Sequence, residues 1–133
     1  MLDGIEPKKL TVHTDERGWL AEILREEEVQ GKFGQMMVTV AKEGIAKGNH
    51  YHKRKTEWYC VTQGEMKLVL KDNEGGETKE IIMKGDELST LKIPPGISHG
   101  FKNVGKGDCF VLIYIDEVFD AEDPDTFPDE VIS

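Results

Sequence analysis

The sequence predicts a single all-β domain, built as a barrel or a sandwich. Short runs of β-forming residues recur about every 8–12 residues, and glycine-containing turns separate them. The 133 residues suit one domain with one hydrophobic core. Residues 108–116, DCFVLIYID, are the most hydrophobic run and predict a strand in that core.

The first half of the chain predicts short strands between polar segments. Residues 1–9 are polar and fit a loose arm, whereas residues 10–13 alternate like a short strand. After a turn at 15–18, residues 19–25 fit either a strand or a helix by their period, and Glu26 to Glu28 fit a solvated loop. Residues 34–40 are rich in β-formers and predict a strand.

The second half predicts two hairpins, one strand before a proline break and an acidic end. The expected elements are a hairpin of 57–61 and 66–70 across 62–65, a hairpin turning at 73–76 and returning through 78–83, and a strand at 88–93. The break Pro94-Pro95-Gly96 then carries His99 into a further strand. We predict one domain over 1–133, with a core at about 10–118. Its acidic C-terminal arm at 119–133 could hold one helical turn or lie extended.

Composition and charge exclude several classes of partner. The net charge is −9, but eight acids and no Lys or Arg fall within residues 116–130, so the rest of the chain is close to neutral. No basic face dominates, which argues against nucleic-acid binding. No apolar run approaches the roughly 20 residues of a membrane span, and the N-terminus does not resemble a signal peptide. Cys60 and Cys109 fit buried thiols in a reducing cytoplasm, so we expect a cytoplasmic protein.

Three of the four histidines fall in one pattern that is typical of metal ligands. Within GIAKGNHYHKRKTEWYCVTQG, His50 and His52 share one face of a predicted strand, and Glu57 follows. His99 comes later, after Pro95-Gly96. Imidazole and carboxylate ligands predict a divalent metal at His50, His52, Glu57 and His99. We expect zinc first, and Mn, Fe, Co and Ni also suit these ligands. An octahedral Mn, Fe, Co or Ni with four protein ligands would keep two positions open for substrate or dioxygen.

This pattern resembles the two motifs of the cupin superfamily. The first motif matches throughout from Gly44 to Gly64, and the second matches in Pro94, Gly96, His99 and Asn103, although Gly85 stands farther from the proline than is usual. The resemblance implies a single-domain jelly-roll β-barrel.

A closer resemblance concerns cupins that process nucleotide-linked 4-keto sugars. It is carried by Asp15-Glu-Arg-Gly, Gly48-Asn-His-Tyr-His-Lys and Phe119-Asp…Asp123-Pro-Asp-Thr126. The chain is most similar to the C-terminal cupin domain of capsular polysaccharide (UDP-2-acetamido-2,6-dideoxyhexose) reductases, and more loosely to dTDP-4-dehydrorhamnose 3,5-epimerases and dTDP-sugar 3,4-ketoisomerases. This implies a nucleotide-sugar substrate, a homodimer and metal at the matching histidines. The acid tyrosine of the 3,5-epimerases is missing near residues 116–118, and no GxGxxG of a fused reductase occurs.

The chemistry of those families is proton transfer at a carbon next to a ketone. It requires a base near the α-proton and a positive group near the enolate oxygen. A metal-free His50 is the base that the resemblance to the 3,5-epimerases implies. If metal holds His50, the alternatives are Tyr59, Tyr114 and Lys67.

Two groups of basic residues are candidates for substrate binding. Lys53, Arg54 and Lys55 form the densest basic cluster and could meet a diphosphate, or could equally be a solvated edge. Arg17 resembles the arginine of the family's Asp-x-Arg-Gly motif, so both substrate binding and turn stabilisation are open.

The sequence therefore predicts an isomerase-type cupin that acts on a nucleotide-linked 4-keto-6-deoxy sugar in polysaccharide biosynthesis. The alternatives are a metal-dependent cupin of another class, such as a dioxygenase, and a non-catalytic module that binds a sugar nucleotide or metal. Tyr51 and Trp58 are expected to project away from the site and to contribute to a homodimer contact.

Overall fold

The computed structural model describes residues 2–133, and those residues contain strands, two short 3-10 turns and loops, but no α-helix. Two five-stranded antiparallel sheets and a two-stranded sheet make up this part of the chain. The 3-10 turns are Leu2–Gly4 and Glu26–Glu28. The strands are β1 (Glu6–Lys9), β2 (Val12–Asp15), β3 (Gly18–Ala21), β4 (Gln35–Ala41), β5 (Ala46–Tyr51), β6 (Glu57–Gln63), β7 (Glu65–Asp72), β8 (Thr78–Lys84), β9 (Ser89–Ile93), β10 (Ile97–Asn103), β11 (Cys109–Ile115) and β12 (Phe127–Pro128).

The two large sheets enclose one main core. The first sheet has the order β1-β9-β6-β11-β4 and the second has the order β12-β5-β10-β7-β8. In β11, Val111 and Ile113 are buried, and in β7 so are Met66 and Leu68; all four belong to the same cluster. The prediction that the run at 108–116 forms a core strand is therefore confirmed, as is the strand predicted at 34–40.

The first predicted hairpin is wrong, because β6 and β7 lie in different sheets. β6 pairs with β9 and β11, whereas β7 pairs with β8 and β10. The chain passes between the sheets at Gly64, where φ is 92° and an added Cβ would approach the Asp108 carbonyl oxygen to 2.9 Å. Only glycine fits this crossing without strain. The second predicted hairpin, β7 with β8, is confirmed.

The two ends of the chain are more ordered than the sequence alone indicates. The segment predicted as a loose arm contains β1, which pairs with β9; Met1 lies outside the described residues. The segment 19–25, left open between strand and helix, contributes to β3, and Glu26–Glu28 forms a 3-10 turn rather than an open loop. The acidic C-terminal arm is extended and ends beside β5 through β12. Backbone pairing with a neighbouring strand, which local sequence does not encode, explains β1 and β12.

Cys60 and Cys109 are both buried free thiols, as predicted, and burial raises the pKa of each. Among residues 2–133, no helix has the length and apolar character that crossing a membrane requires.

Candidate metal centre

A β-bulge brings two of the histidines face to face. In the second sheet, His50 of β5 pairs with His99 of β10, and the register then shifts so that Gly100 pairs with Gly48. Gly48 and Asn49 have φ values of 83° and 60°, which glycine and asparagine tolerate best. The extra residue turns the strand, and the rings of His50 and His99 lie 4.8 Å apart.

The other two groups come from the loop after β5 and from the opposite sheet. His52 directly follows β5, and its ring lies 5.0 Å from that of His50. Glu57 is the first residue of β6 in the first sheet, where it pairs with Ile93 and Ile115. The cluster of His50, His52, Glu57 and His99 therefore joins both sheets, and its possible ligand atoms all lie within 4.8 Å of one another.

Hydrogen bonds to backbone carbonyls orient two of the three imidazoles. His52 Nδ1 donates to the carbonyl oxygen of Asp125 at 2.7 Å, and His99 Nδ1 donates to that of Ile97 at 3.0 Å. Each ring then turns its Nε2 toward Glu57 Oε1, at 2.9 Å from His52 and 2.7 Å from His99. In a neutral imidazole of this tautomer, Nε2 carries a lone pair and cannot donate to the carboxylate.

The cluster fits a divalent metal by its donor set and by one orphaned atom. Buried His99 Nε2 lies close to Glu57 Oε1 but without hydrogen-bond alignment, so no group in the described part of the chain donates to this nitrogen lone pair. A proton on each ring or a cation between the groups is needed to compensate the buried carboxylate. Three imidazoles and one carboxylate suit zinc and the first-row ions Mn, Fe, Co and Ni. Carbonyl partners on the far ring nitrogens are the usual surroundings of metal-bound histidines.

Burial and the mutual charges shift the protonation of these groups. Burial, reinforced by His99, lowers the pKa of His50 to about 4. Burial alone would lower the pKa of His52, but the hydrogen bond and charge of Glu57 outweigh it, so the pKa is raised. Burial would raise the pKa of Glu57, but His99 and His52 lower it, so the carboxylate stays ionised.

A cavity of about 390 Å³ opens onto the cluster. Its walls carry His50, His52, Glu57 and Tyr59 together with two cations, Lys47 and Lys55; the remaining lining residues are mostly apolar. Those are Gln35, Met37, Thr39, Gly48, Phe101, Ile113, Ile115, Phe119 and Thr126. The cavity thus combines an apolar wall with a few convergent polar groups, which is typical of a small-molecule site.

Only two of the four catalytic candidates reach this cavity. Tyr59 is fully buried there beside His99, and burial, with the charge of Glu57, raises its pKa. Tyr114 lies on the other face of β11, where it packs against Trp58 and donates a hydrogen bond to the carbonyl of Lys32. Lys67 projects from β7 outside the cavity lining and lies 3.8 Å from Glu80. Strand alternation separates Tyr114 from Ile113 and Ile115, which do line the cavity.

The predicted basic cluster is divided by the fold. Arg54 pairs with Glu117 at 2.8 Å and Asp123 at 3.3 Å, and Lys53 lies over the ring of Phe127. Lys55 alone of the three lines the cavity. Arg17 lies outside it, in the β2–β3 turn, where it binds Asp15 at 2.6 Å. Of the two roles open to Arg17, the contacts show turn stabilisation.

Sequence reasoning missed three contributors, Lys47, Phe119 and Asp125. Lys47 lies in β5 and donates to Thr39 Oγ1 at 2.6 Å. Phe119 and Asp125 belong to the arm, whose motif Phe119-Asp…Asp123-Pro-Asp-Thr126 had been noted only as a resemblance. That motif was the available signal, because it contains the residues of the arm that approach the cavity and His52.

Residues 13–127 match the model of the family described as the polysaccharide biosynthesis C-terminal domain. This chain belongs to that family. It is 34% identical over 116 residues to UDP-2-acetamido-2,6-beta-L-arabino-hexul-4-ose reductase of Pseudomonas aeruginosa. The matched residues are 87% of this chain but only 30% of the reductase. The chain therefore spans about a third of that relative's length.

Two further relatives are covered over most of their length. Spore coat polysaccharide biosynthesis protein SpsL of Bacillus subtilis is 30% identical, and the match covers 94% of this chain and 87% of SpsL. A dTDP-4-dehydrorhamnose 3,5-epimerase of Methanothermobacter thermautotrophicus is 28% identical, and the match covers 91% of this chain and 71% of the epimerase. The resemblances to the capsular reductases and to the 3,5-epimerases are confirmed.

Solved structures confirm the jelly-roll cupin fold. Capsular polysaccharide assembling protein CapF of Staphylococcus aureus superposes with a TM-score of 0.72 at 32% identity, over 92% of this chain and 34% of CapF. A dTDP sugar isomerase of Desulfovibrio desulfuricans superposes with a TM-score of 0.86, over 96% of this chain and 85% of the isomerase. At 21% identity the second likeness shows the fold alone.

Proposed function

We propose that this member of the polysaccharide biosynthesis C-terminal domain family is an isomerase-type cupin. Its substrate would be a nucleotide-linked 4-keto-6-deoxy sugar, which it would epimerise at C3 or convert by keto isomerisation. Relatives named for a hexul-4-ose reductase and for a 4-dehydrorhamnose epimerase support a 4-keto sugar nucleotide. SpsL supports a role in polysaccharide biosynthesis.

The observation that carries this proposal is the makeup of the cavity. Its lining contains His50, His52 and Glu57 of the cluster together with the cations Lys47 and Lys55. Removing a proton next to a ketone needs a base at the carbon and positive charge at the oxygen, and both kinds of group face this one space. Much of the remaining lining is apolar, and a lower local dielectric strengthens the interaction of a lysine with the developing negative charge.

His52, Glu57 and His99 are the residues best prepared to hold a divalent ion, because carbonyl hydrogen bonds already fix both imidazoles. An ion bound there would supply positive charge to a nearby substrate oxygen. His50 differs, because its ring is only half-buried and makes no hydrogen bond with any group of residues 2–133. We assign to His50 the role of the base that takes the α-proton, with ligation of the ion as the competing role.

Tyr59 cannot act as a base at neutral pH, because its raised pKa keeps the phenol protonated. The protonated phenol can still donate a hydrogen bond or a proton in the cavity, and its oxygen can accept a hydrogen bond. The ammonium of Lys55 is buried and has the Pro124 carbonyl as acceptor at 3.1 Å, with no carboxylate of residues 2–133 within ion-pair distance. It also lies 5.6 Å from the centroid of the Phe119 ring, and these neutral partners leave its charge uncompensated for an anionic oxygen of the substrate.

Lys55→Ala is expected to weaken binding of UDP or dTDP by roughly 1.5–3 kcal/mol if the ammonium binds a phosphate oxygen, since hydrogen bonds to charged groups are of this size. Arg54→Ala is the matched control. Its guanidinium is exposed and already paired with Glu117 and Asp123, so its loss should change the binding free energy by less than about 0.5 kcal/mol. Calorimetry with both nucleotides measures the difference. Equal effects of the two substitutions would reject Lys55 as the phosphate contact.

The proposed activity is tested by exchange of the sugar's α-protons with solvent. In deuterated water, the protein should introduce deuterium next to the ketone of a UDP- or dTDP-linked 4-keto-6-deoxy sugar, as read by mass spectrometry. Nucleotide binding without any exchange would identify a binding module instead. Dioxygen consumption without exchange would favour the dioxygenase.

We also propose a homodimer, on different residues from those predicted. Trp58 is only 7% exposed and Tyr51 stacks on Phe127, so neither presents a free apolar surface. The edge strand β4 instead exposes Met36 and Val38 by 54% and 59%. Light scattering at micromolar concentration should give twice the mass of the 15.0 kDa chain. Val38→Glu should shift the protein toward monomer, and a wild-type monomer would contradict the proposal.

A further inference from the structure

Two consecutive residues of the acidic C-terminal arm bind four consecutive residues, of which the first, His52, belongs to the histidine cluster. The carbonyl oxygen of Pro124 accepts from Lys55 Nζ at 3.1 Å, and that of Asp125 accepts from His52 Nδ1 at 2.7 Å. The carboxylate of Asp125 accepts from the backbone N–H groups of Lys53 and Arg54, both at 2.9 Å. The segment 52–55 is thus held over its whole length by Pro124 and Asp125.

Asp125 differs from the other acids of the arm by its burial and its backbone. It is 3% exposed, and its φ of 48° lies in the left-handed region, which is uncommon for a residue with a side chain. This conformation is unfavourable by itself and persists only where surrounding contacts enforce it. Here, the carbonyl and the carboxylate of Asp125 face the same loop, and each of the three oxygen atoms of these groups accepts one hydrogen bond from it.

The contacts of Asp125 bear directly on His52. A donor bond from Nδ1 selects one imidazole tautomer and leaves Nε2 directed at Glu57 Oε1, 2.9 Å away. The bonds from Lys53 and Arg54 fix the backbone that follows His52, so the carbonyl and the ring keep their relative position. In the same way, Pro124 holds the ammonium of Lys55 at the cavity wall.

We propose that Pro124–Asp125 is a positioning element that fixes the orientation and tautomer of His52 and the place of the Lys55 ammonium. Asp125 acts through His52 and does not itself face the cavity. The part of this inference that concerns metal affinity rests on the proposed metal site. The part that concerns the tautomer of His52 does not.

The acidity of the arm as a whole does not explain this effect. Asp123 also approaches the loop, but it binds only the exposed side chain of Arg54, at 3.3 Å. Exposed ion pairs contribute little, whereas buried charge-assisted bonds from backbone N–H groups are strong and directional. Asp123 therefore serves as the matched control for Asp125, two residues away and with the same charge.

The test compares Asp125→Gly with Asp123→Gly. Glycine suits the φ of 48° and removes both side-chain acceptors, so the backbone conformation remains accessible. Affinity for Zn²⁺ or Co²⁺ alone, measured by competition with a chelating dye, should fall about 10–100-fold in Asp125→Gly, as for other residues that orient metal-bound histidines. Asp123→Gly should stay within about twofold of wild type. Asp125→Asn, which keeps the shape and one acceptor, should fall between them.

A second readout separates positioning from general destabilisation. Nitrogen-15 NMR of the metal-free protein at alkaline pH should show His52 as the Nδ1–H tautomer in wild type and Asp123→Gly, and a tautomer mixture in Asp125→Gly. Leu88→Ala, in a cluster of Leu10, Cys60 and Leu88 away from the site, should lower stability without changing the tautomer or the metal affinity.

Each outcome decides the inference. Wild-type metal affinity and an unchanged His52 tautomer in Asp125→Gly would overturn it. If wild type binds no metal, the proposed metal site fails, while the tautomer comparison still decides the positioning role. If Asp125→Gly does not fold, Asp125→Asn is compared with Asp123→Asn by the same two measurements.

Discussion

Protein purified without chelators is expected to contain close to one divalent ion per chain, and the His52→Ala variant almost none. His52 Nε2 and His99 Nε2 both face Glu57 Oε1 within 3 Å, and without a cation or added protons this arrangement leaves a buried carboxylate opposite two lone pairs. Removing one imidazole takes away a ligand and leaves the others with too few donors for a stable site. Elemental analysis of the two proteins, after dialysis against metal-free buffer, measures the effect.

His13→Ala is the control for this experiment. His13 is the one histidine of the sequence that does not belong to the cluster, and it lies exposed in β2. Its variant should retain the metal content of wild type. Wild-type protein that stays free of metal after incubation with Zn²⁺, Mn²⁺, Fe²⁺, Co²⁺ and Ni²⁺ in turn would refute the site. Equal metal in His52→Ala and wild type would show that the ion binds elsewhere.

His50→Gln is expected to lower the rate of solvent deuterium exchange into a 4-keto sugar nucleotide by about 10²–10⁴-fold, the usual contribution of a general base. Glutamine has a similar reach but cannot take a proton. Because His50 lacks the carbonyl hydrogen bond that His52 and His99 have, the variant should keep its metal. Exchange rates and metal content are measured on the same preparation.

This pair of measurements separates the two roles of His50. Loss of exchange with metal retained identifies the base. Loss of both would make His50 the fourth ligand, as the spacing of the motif predicts, and would contradict its assignment as the base. Unchanged exchange would reject both the base and the enolate chemistry at this cavity. His13→Gln should affect neither quantity, because that side chain lies outside the cavity lining.

The sequence was sufficient for the features that depend on local pattern. Alternating residues and glycine turns predicted the strands, and the β11 run was recognisable because a strand buried in a core is apolar along its length. The His-x-His…Glu…His spacing predicted the cluster, and the structure brings those four groups within 4.8 Å. Such spacing works across the chain because a strand fixes which side chains share a face, and the two motifs belong to strands that pair in the jelly roll.

Pairing between distant segments was decided by the tertiary structure alone. A short turn between β6 and β7 predicts a hairpin, yet Gly64 directs β7 into the other sheet, because its positive φ and close approach to Asp108 suit a crossing. Lys53, Arg54 and Lys55 look equivalent in sequence. Glu117 and Asp123 neutralise Arg54, and Phe127 covers Lys53. Lys55 lines the cavity and has the Pro124 carbonyl as its acceptor. Which of the three charges lies at the cavity depends on the segments that pack against each, and residues more than sixty positions away supply those segments.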